Sequence, residues 1–135
     1  DMNSGTIYGF SHTHVSGMAG GGNRAPGNVN FIPVILDGQN RKNDSSDKSR
    51  TYQSHFKHSN ESASPGYYSV TLDDYNINVE LTSTTRVGFH RYTFPKSDQA
   101  AIVLKLGNGS ITMKDNEISG WNNSVFFLYL LNLTC

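Results

Sequence analysis

Residues 67–82 read YYSVTLDDYNINVELT, and this stretch decides the fold class of the chain. From residue 77 to residue 82, apolar Ile, Val and Leu alternate with polar Asn, Glu and Thr. This period of two is typical of a β-strand with one buried face. Residues 67–72 also alternate, and Asp73 and Asp74 separate the two runs with residues that favour turns. The stretch therefore predicts an antiparallel β-hairpin with one apolar face.

Short strand-like runs continue on both sides of this hairpin, at residues 31–36, 87–94, 100–106, 111–113 and 125–131. Pro33 predicts that the first run is an edge strand or a strand entry, because proline cannot donate to a sheet ladder. Gly107, Asn108 and Gly109 form a turn signal, and residues 37–51 are interpreted as a solvated loop. Six or seven short strands joined by turns predict an all-β fold, either an antiparallel sandwich or a barrel.

The composition fits one globular domain and excludes several classes of protein. The 135 residues include 11 basic and 11 acidic side chains, so the net charge is zero and the basic surface of a nucleic-acid binder is not expected. Seven Phe and seven Tyr supply a core, whereas Ala and Glu are scarce, which disfavours helical bundles. The longest apolar run, 125–131, is far shorter than the roughly 20 residues that span a bilayer, so no membrane partner is expected.

The two ends of the chain carry little targeting information. The sequence begins at Asp1 rather than at Met, and its first residues lack the charged and then apolar pattern of a signal peptide. We therefore interpret the chain as a processed or excised segment. The only cysteine is Cys135, so no disulfide can form within the chain.

The densest polar motif is GFSHTHVSG at residues 9–17. In an extended segment, His12 and His14 would present their imidazoles on the same side. Such a pair can form half of a zinc site, hydrogen-bond sugar hydroxyls, or simply bond backbone carbonyls in a polar loop. A zinc site needs a third protein ligand. The sequence does not bring any of the remaining candidates to the pair, so no metal site is assigned; these candidates are His55, His58, His90 and the carboxylates.

The carboxylates favour a structural interpretation over a catalytic one. Asp73 and Asp74 occupy a turn, Glu80 lies on the polar face of its strand, and Glu61 and Asp115 have polar neighbours. None lies in an apolar setting that would raise its pKa into the range of a general acid. The sequence also lacks a Gly-x-Ser-x-Gly elbow and a phosphate-binding loop. We therefore expect this chain alone to be catalytically inactive.

Three blocks of sequence together resemble the N-terminal domain of glycoside hydrolase family 92, the exo-acting α-mannosidases. They keep the order and approximate spacing of that family over residues 8–95. The blocks are GFSHTHVSG at 9–17; HFKH at 55–58 with Glu61, ASPGYYSV at 63–70 and LDD at 72–74; and VELT at 79–82 with TRVGFHRYTFP at 85–95.

The resemblance implies a fold and a division of labour. Family members have an N-terminal β-sandwich followed by an (α/α)6 catalytic domain, which holds the acid and base carboxylates and the calcium ligands. By resemblance, residues 1–135 form the N-terminal sandwich, of the galactose-binding-like or supersandwich type and incomplete at its C-terminus, without the catalytic domain. No cofactor is then expected in this chain, and a secreted or periplasmic location is favoured.

The resemblance also implies a function and candidate site residues. The domain would support hydrolysis of mannose-containing glycans by completing the sugar pocket and bracing the catalytic domain. By position in the first block, Ser11, His12 and His14 are the expected contacts with the sugar or with the other domain. His90 and Arg91, in the third block, are expected to serve packing of the sandwich instead.

Two departures and two alternatives accompany this interpretation. Met18 and Ala19 interrupt the turn that usually follows the second histidine in the family. Little likeness to the family remains after Gly120, and the apolar run there fits either a sandwich strand or an altered carboxyl end. The first alternative is a stand-alone carbohydrate-binding module, which predicts an exposed pair of aromatic side chains. The second is a degenerate remnant without a ligand, which predicts an open sheet edge.

Overall fold

The computed structural model describes residues 5–11, 29–36, 52–106, 109–122 and 125–131. Apart from one turn of 3-10 helix at His58–Asn60, the elements in these ranges are strands. The strands are β1 (Thr6–Ile7), β2 (Phe10–Ser11), β3 (Val29–Ile35), β4 (Ser54–His55), β5 (Glu61–Ser64), β6 (Tyr67–Leu72), β7 (Ile77–Ser83), β8 (Gly88–Thr93), β9 (Ala100–Leu106), β10 (Gly109–Lys114), β11 (Glu117–Asn122) and β12 (Val125–Leu130). The predicted all-β class is confirmed.

Internal packing divides the chain into two compact units. The first comprises residues 1–10 and 31–103, and the second comprises residues 11–30 and 104–135. The predicted loop at 37–51 lies outside the described residues.

The first unit contains the hairpin that the sequence predicts. Strands β5, β6, β7 and β8 form an antiparallel four-stranded sheet in chain order. In its register Val70 lies opposite Val79 and Leu72 lies opposite Ile77. Because side chains alternate across a strand, this pairing places the four apolar residues on one face of the sheet, here called the inner face.

The inner face forms the core of the first unit. Val70, Leu72, Ile77 and Val79 are all 0% exposed, and Phe10 from β2 packs against them. Burying each aliphatic side chain of this size contributes about 1.5–3 kcal/mol. Ile35 of β3 also packs against the cluster, so residues of two sheets face each other across an apolar layer, as a β-sandwich requires.

Two tight turns close the ends of β6. Pro65 and Gly66 link β5 to β6, and Gly66 has a φ of 78°, the left-handed value that the third position of a type II turn demands. Asn76, in the turn before β7, has a φ of 51°, a conformation that asparagine tolerates better than most residues. These residues set the register of the hairpin on either side.

The expectation that the first run is an edge strand or a strand entry is wrong. Strand β3 begins at Val29, ahead of Pro33, and is the middle strand of a three-stranded sheet in the order β2-β3-β9. Phe31, Ile32 and Val34 are buried within it. Burial of these apolar side chains favours a central position for the strand, although proline cannot donate to a sheet ladder.

The second unit contains a three-stranded antiparallel meander, β10-β11-β12. Its strands expose large apolar side chains on both faces, as the register and the alternation of the pleat show. Ile111 and Met113 are exposed on one face, and Trp121, Leu128 and Leu130 are exposed on the other.

Within the described ranges, no helix is long and apolar enough to cross a membrane.

Truncating the core should cost far more stability than truncating an exposed residue of the same type. Leu72→Ala removes a side chain that is 0% exposed, so we expect the free energy of unfolding to fall by about 2–5 kcal/mol. Leu130→Ala is the matched control, because Leu130 is 77% exposed and its truncation should cost less than about 0.5 kcal/mol. Urea unfolding followed by circular dichroism measures both changes, and equal losses would contradict the described core.

Candidate functional site

The structure describes one of the three predicted site residues. Ser11 ends β2 and is exposed. His12 and His14 lie outside the described residues, so the expected contacts of these two histidines with a sugar or with the catalytic domain stay a prediction. Within the described ranges, no group of three or more His, Cys, Asp or Glu side chains is arranged to hold a metal ion.

The structure does bring together polar residues that lie in the second sequence block or directly beside it. They form two linked groups beside β4 and β5, which we call the histidine–carboxylate cluster. Its members are Ser54, His55, His58, Asn60, Glu61, Tyr68, Asp73 and Asp74.

The first group is built around His55 and Asp74. The backbone N–H of His55 donates to Asp74 Oδ2 at 3.0 Å, and His55 Nδ1 lies 3.0 Å from the same oxygen. The backbone N–H of Asp74 in turn donates to the hydroxyl of the fully buried Ser54. Because a carboxylate only accepts hydrogen bonds, Nδ1 of His55 carries the proton in this contact. Nε2 of the neutral ring is then a hydrogen-bond acceptor.

The second group is built around Glu61, which begins β5. His58 Nδ1 lies 2.6 Å from Glu61 Oε1, and Tyr68 Oη donates to Glu61 Oε2 at 2.8 Å. The hydrogen bond from His58, followed by that from Tyr68, lowers the pKa of Glu61. Partial burial, followed by the same hydrogen bond, raises the pKa of Tyr68. Glu61 is therefore an ionised acceptor at neutral pH.

The two groups are joined through the turn before β7. Asn60 Nδ2 donates to Asp73 Oδ1 at 3.3 Å, and the backbone N–H of Asp73 donates to the carbonyl of His55 at 2.9 Å. The side chains of His55 and His58 are 65% and 60% exposed. The cluster thus holds two imidazoles through Nδ1 and leaves each ring largely open to solvent.

This arrangement can bind polar groups, but it does not suit acid catalysis. A carboxylate that fixes Nδ1 orients the ring, so that a neutral imidazole can accept a hydrogen bond at Nε2. A glycosidase general acid needs a raised pKa, whereas the pKa of Glu61 is lowered. The cluster is therefore suited to hydrogen-bonding a ligand hydroxyl or a neighbouring protein surface.

A second polar group lies on the face of β6–β8 opposite the core, here called the outer face. Arg91 donates to Glu80 through both Nε and Nη2, each at 2.6 Å, and Tyr67 Oη donates to Glu80 Oε1 at 2.8 Å. The bonds from Arg91, followed by that from Tyr67, lower the pKa of Glu80 to about 2. The pair follows from the register, in which Glu80 lies directly opposite Arg91.

The structure also shows the role of His90. His90 Nδ1 lies 2.7 Å from Tyr92 Oη, and its ring meets Phe31 of β3 edge to face at 5.9 Å between centroids. His90 therefore packs against its neighbours within the first unit, as expected from the sequence, whereas Arg91 pairs with Glu80 on the exposed outer face.

Sequence reasoning missed the histidine–carboxylate cluster as a unit. The three-residue spacing of His58 and Glu61 was a visible signal for one pair. His55 and Asp74 are 19 residues apart, and only the strand pairing brings them together.

The comparisons with known proteins follow from this fold and these motifs. Residues 1–129 match the family model of the glycosyl hydrolase family 92 N-terminal domain. The chain therefore belongs to glycosyl hydrolase family 92, and the resemblance in the sequence is confirmed. A search of curated proteins gives no match.

Two solved structures of a family GH92 α-mannosidase from Bacteroides thetaiotaomicron, one of them in complex with mannoimidazole, are similar to this chain. Each is 35% identical, superimposes with a TM-score of 0.67 and covers 87% of this chain. The match covers 16% of the mannosidase chain in the complex and 17% in the other structure. The chain thus spans about a sixth of the length of this relative.

The lowered pKa of Glu80 should depend on Arg91. Arg91→Gln removes the largest cause of the shift, so the pKa of Glu80 should rise from about 2 towards its ordinary value of 4.5. Tyr67→Phe, the control, removes the smaller cause and should raise the pKa less. Carboxyl NMR titration measures both values, and an unchanged Glu80 pKa in Arg91→Gln would contradict the described pair.

The same shift gives the pH dependence of stability a definite sign. Because the pKa is lower in the folded state, the contribution of Glu80 is present above pH 4.5 and is lost as the pH falls towards about 2. The difference in the free energy of unfolding between the unsubstituted chain and Glu80→Gln should therefore become smaller as the pH falls through that interval, as measured by urea unfolding.

Proposed function

We propose that this domain is the non-catalytic N-terminal part of an α-mannosidase acting on mannose-containing glycans. In this role it completes the sugar pocket and braces a catalytic domain, which would supply the acid and base carboxylates and hold the calcium ion. The observation that carries the proposal is the match to a GH92 α-mannosidase solved with mannoimidazole, at 35% identity over 87% of the chain.

The chemistry of the described carboxylates favours a non-catalytic role for this domain. Glu61 and Glu80 both have lowered pKa values, because His58 and Tyr68 hydrogen-bond to Glu61 and Arg91 and Tyr67 hydrogen-bond to Glu80. Inverting hydrolysis needs one carboxyl that keeps its proton and a second that activates water. Among the described carboxyls whose pKa is shifted, none has the raised pKa that a general acid needs. Hydrolysis would therefore depend on carboxyls of the catalytic domain.

The first sequence block supplies the proposed pocket contacts. Ser11 is exposed at the end of β2, and the chain continues directly into His12 and His14. Hydroxyl and imidazole groups can donate to and accept from sugar hydroxyls. We assign Ser11, His12 and His14 to the rim of the sugar pocket or to the interface with the catalytic domain.

The proposal is tested in the enzyme that contains this domain together with its catalytic domain. His12→Ala should reduce kcat/KM for an α-mannoside about tenfold, the loss that corresponds to one hydrogen bond, without lowering the melting temperature. Met113→Ala is the control, because Met113 is 68% exposed on the second unit and should leave turnover unchanged. Unchanged turnover in His12→Ala would remove this residue from the site.

The chain alone should be inactive. The purified 135-residue chain is expected to release no mannose from an aryl α-mannoside, because the proposed acid and base are absent from it. Release of mannose that survives further purification would overturn the non-catalytic assignment.

A further inference from the structure

The outer face of β6–β8 carries two exposed aromatic side chains in one row. Tyr67 lies opposite Thr82, and Thr82 lies opposite Phe89 on the next strand, so all three share a face. Tyr67 is 41% exposed and Phe89 is 59% exposed. Adjacent strands are about 4.8 Å apart, so the two aromatic positions are separated by about 9–10 Å.

Fixed hydrogen-bonding groups lie beside this row. Glu80 precedes Thr82 by two residues on the same face and receives hydrogen bonds from both Tyr67 and Arg91. Arg91 uses two of its five guanidinium N–H groups on Glu80, and its side chain is 64% exposed. The remaining donors are held in place and can reach a ligand lying on the face.

This combination of groups suits a neutral sugar better than other ligands. Aromatic rings stack on the C–H surface of a pyranose, while polar groups at fixed positions bond its hydroxyls. An anion is disfavoured because Glu80 neutralises the charge of Arg91. The polar Thr82, whose hydroxyl donates to the carbonyl of Gly66, interrupts the apolar surface that a protein partner would bury.

We propose that the outer face of β6–β8 binds a short neutral oligosaccharide, with Tyr67 and Phe89 stacking on its pyranose rings and Arg91 donating to its hydroxyls. This site goes beyond the proposed function, because it requires neither a catalytic domain nor the segment from Ser11 to His14. It would hold a glycan on the surface of the domain rather than in a reaction pocket.

The test is an NMR titration of the 135-residue chain with α-mannotriose and, separately, with cellotriose. Saturable shifts of Tyr67 and Phe89 ring signals are expected, and the sugar that binds more tightly defines the preferred configuration. Tyr67→Ala and Phe89→Ala should each weaken binding at least about fivefold. Tyr67→Phe keeps the ring and should retain most of the affinity, which separates stacking from the hydrogen bond to Glu80.

Trp121→Ala is the matched control, because Trp121 is an aromatic residue 44% exposed on the second unit and should not affect binding. Binding of neither sugar, or an equal loss in Trp121→Ala, would overturn the proposal. So would unchanged affinity in both Tyr67→Ala and Phe89→Ala. None of these results bears on the turnover of His12→Ala, so the two proposals fail independently.

Discussion

The packing of the inner face of β6 and β7 against Phe10 is the constraint on which the described structure depends. Val70, Leu72, Ile77 and Val79 are fully buried there. A slip of one residue in this register would turn the apolar set outwards, so the core specifies the pairing strongly. The outer face inherits that register, and Glu80 meets Arg91 only because Val79 is held in the core.

Regular alternation was the most reliable guide from sequence to strand. The prediction from residues 77–82 is confirmed by β7, and the run at 100–106 coincides with β9. Strand β5, with the sequence ESAS, and strand β11, with EISGWN, escaped prediction because neither has an alternating apolar face. Both are recruited by pairing with a neighbour, a long-range effect that local patterns do not encode.

The second sequence block illustrates how a motif can reflect geometry. His55, His58, Glu61 and Asp74 are spread over twenty residues, yet they hydrogen-bond in pairs within one cluster. Their joint occurrence, which carried part of the family resemblance, has a physical explanation in these contacts. The contribution of Ser11, His12 and His14 could be inferred only from the resemblance, because no local pattern identifies which surface a polar loop faces.

The meander β10–β12 has a consequence for the handling of this chain. Leu128 and Leu130 are exposed on β12, an edge strand of this sheet among the described residues, and Met113 is exposed on the opposite face. Equal numbers of acidic and basic side chains leave no net repulsion between molecules at neutral pH. Concentrated solutions of the 135-residue chain should therefore be least soluble near neutrality, and moving the buffer away from it should delay precipitation.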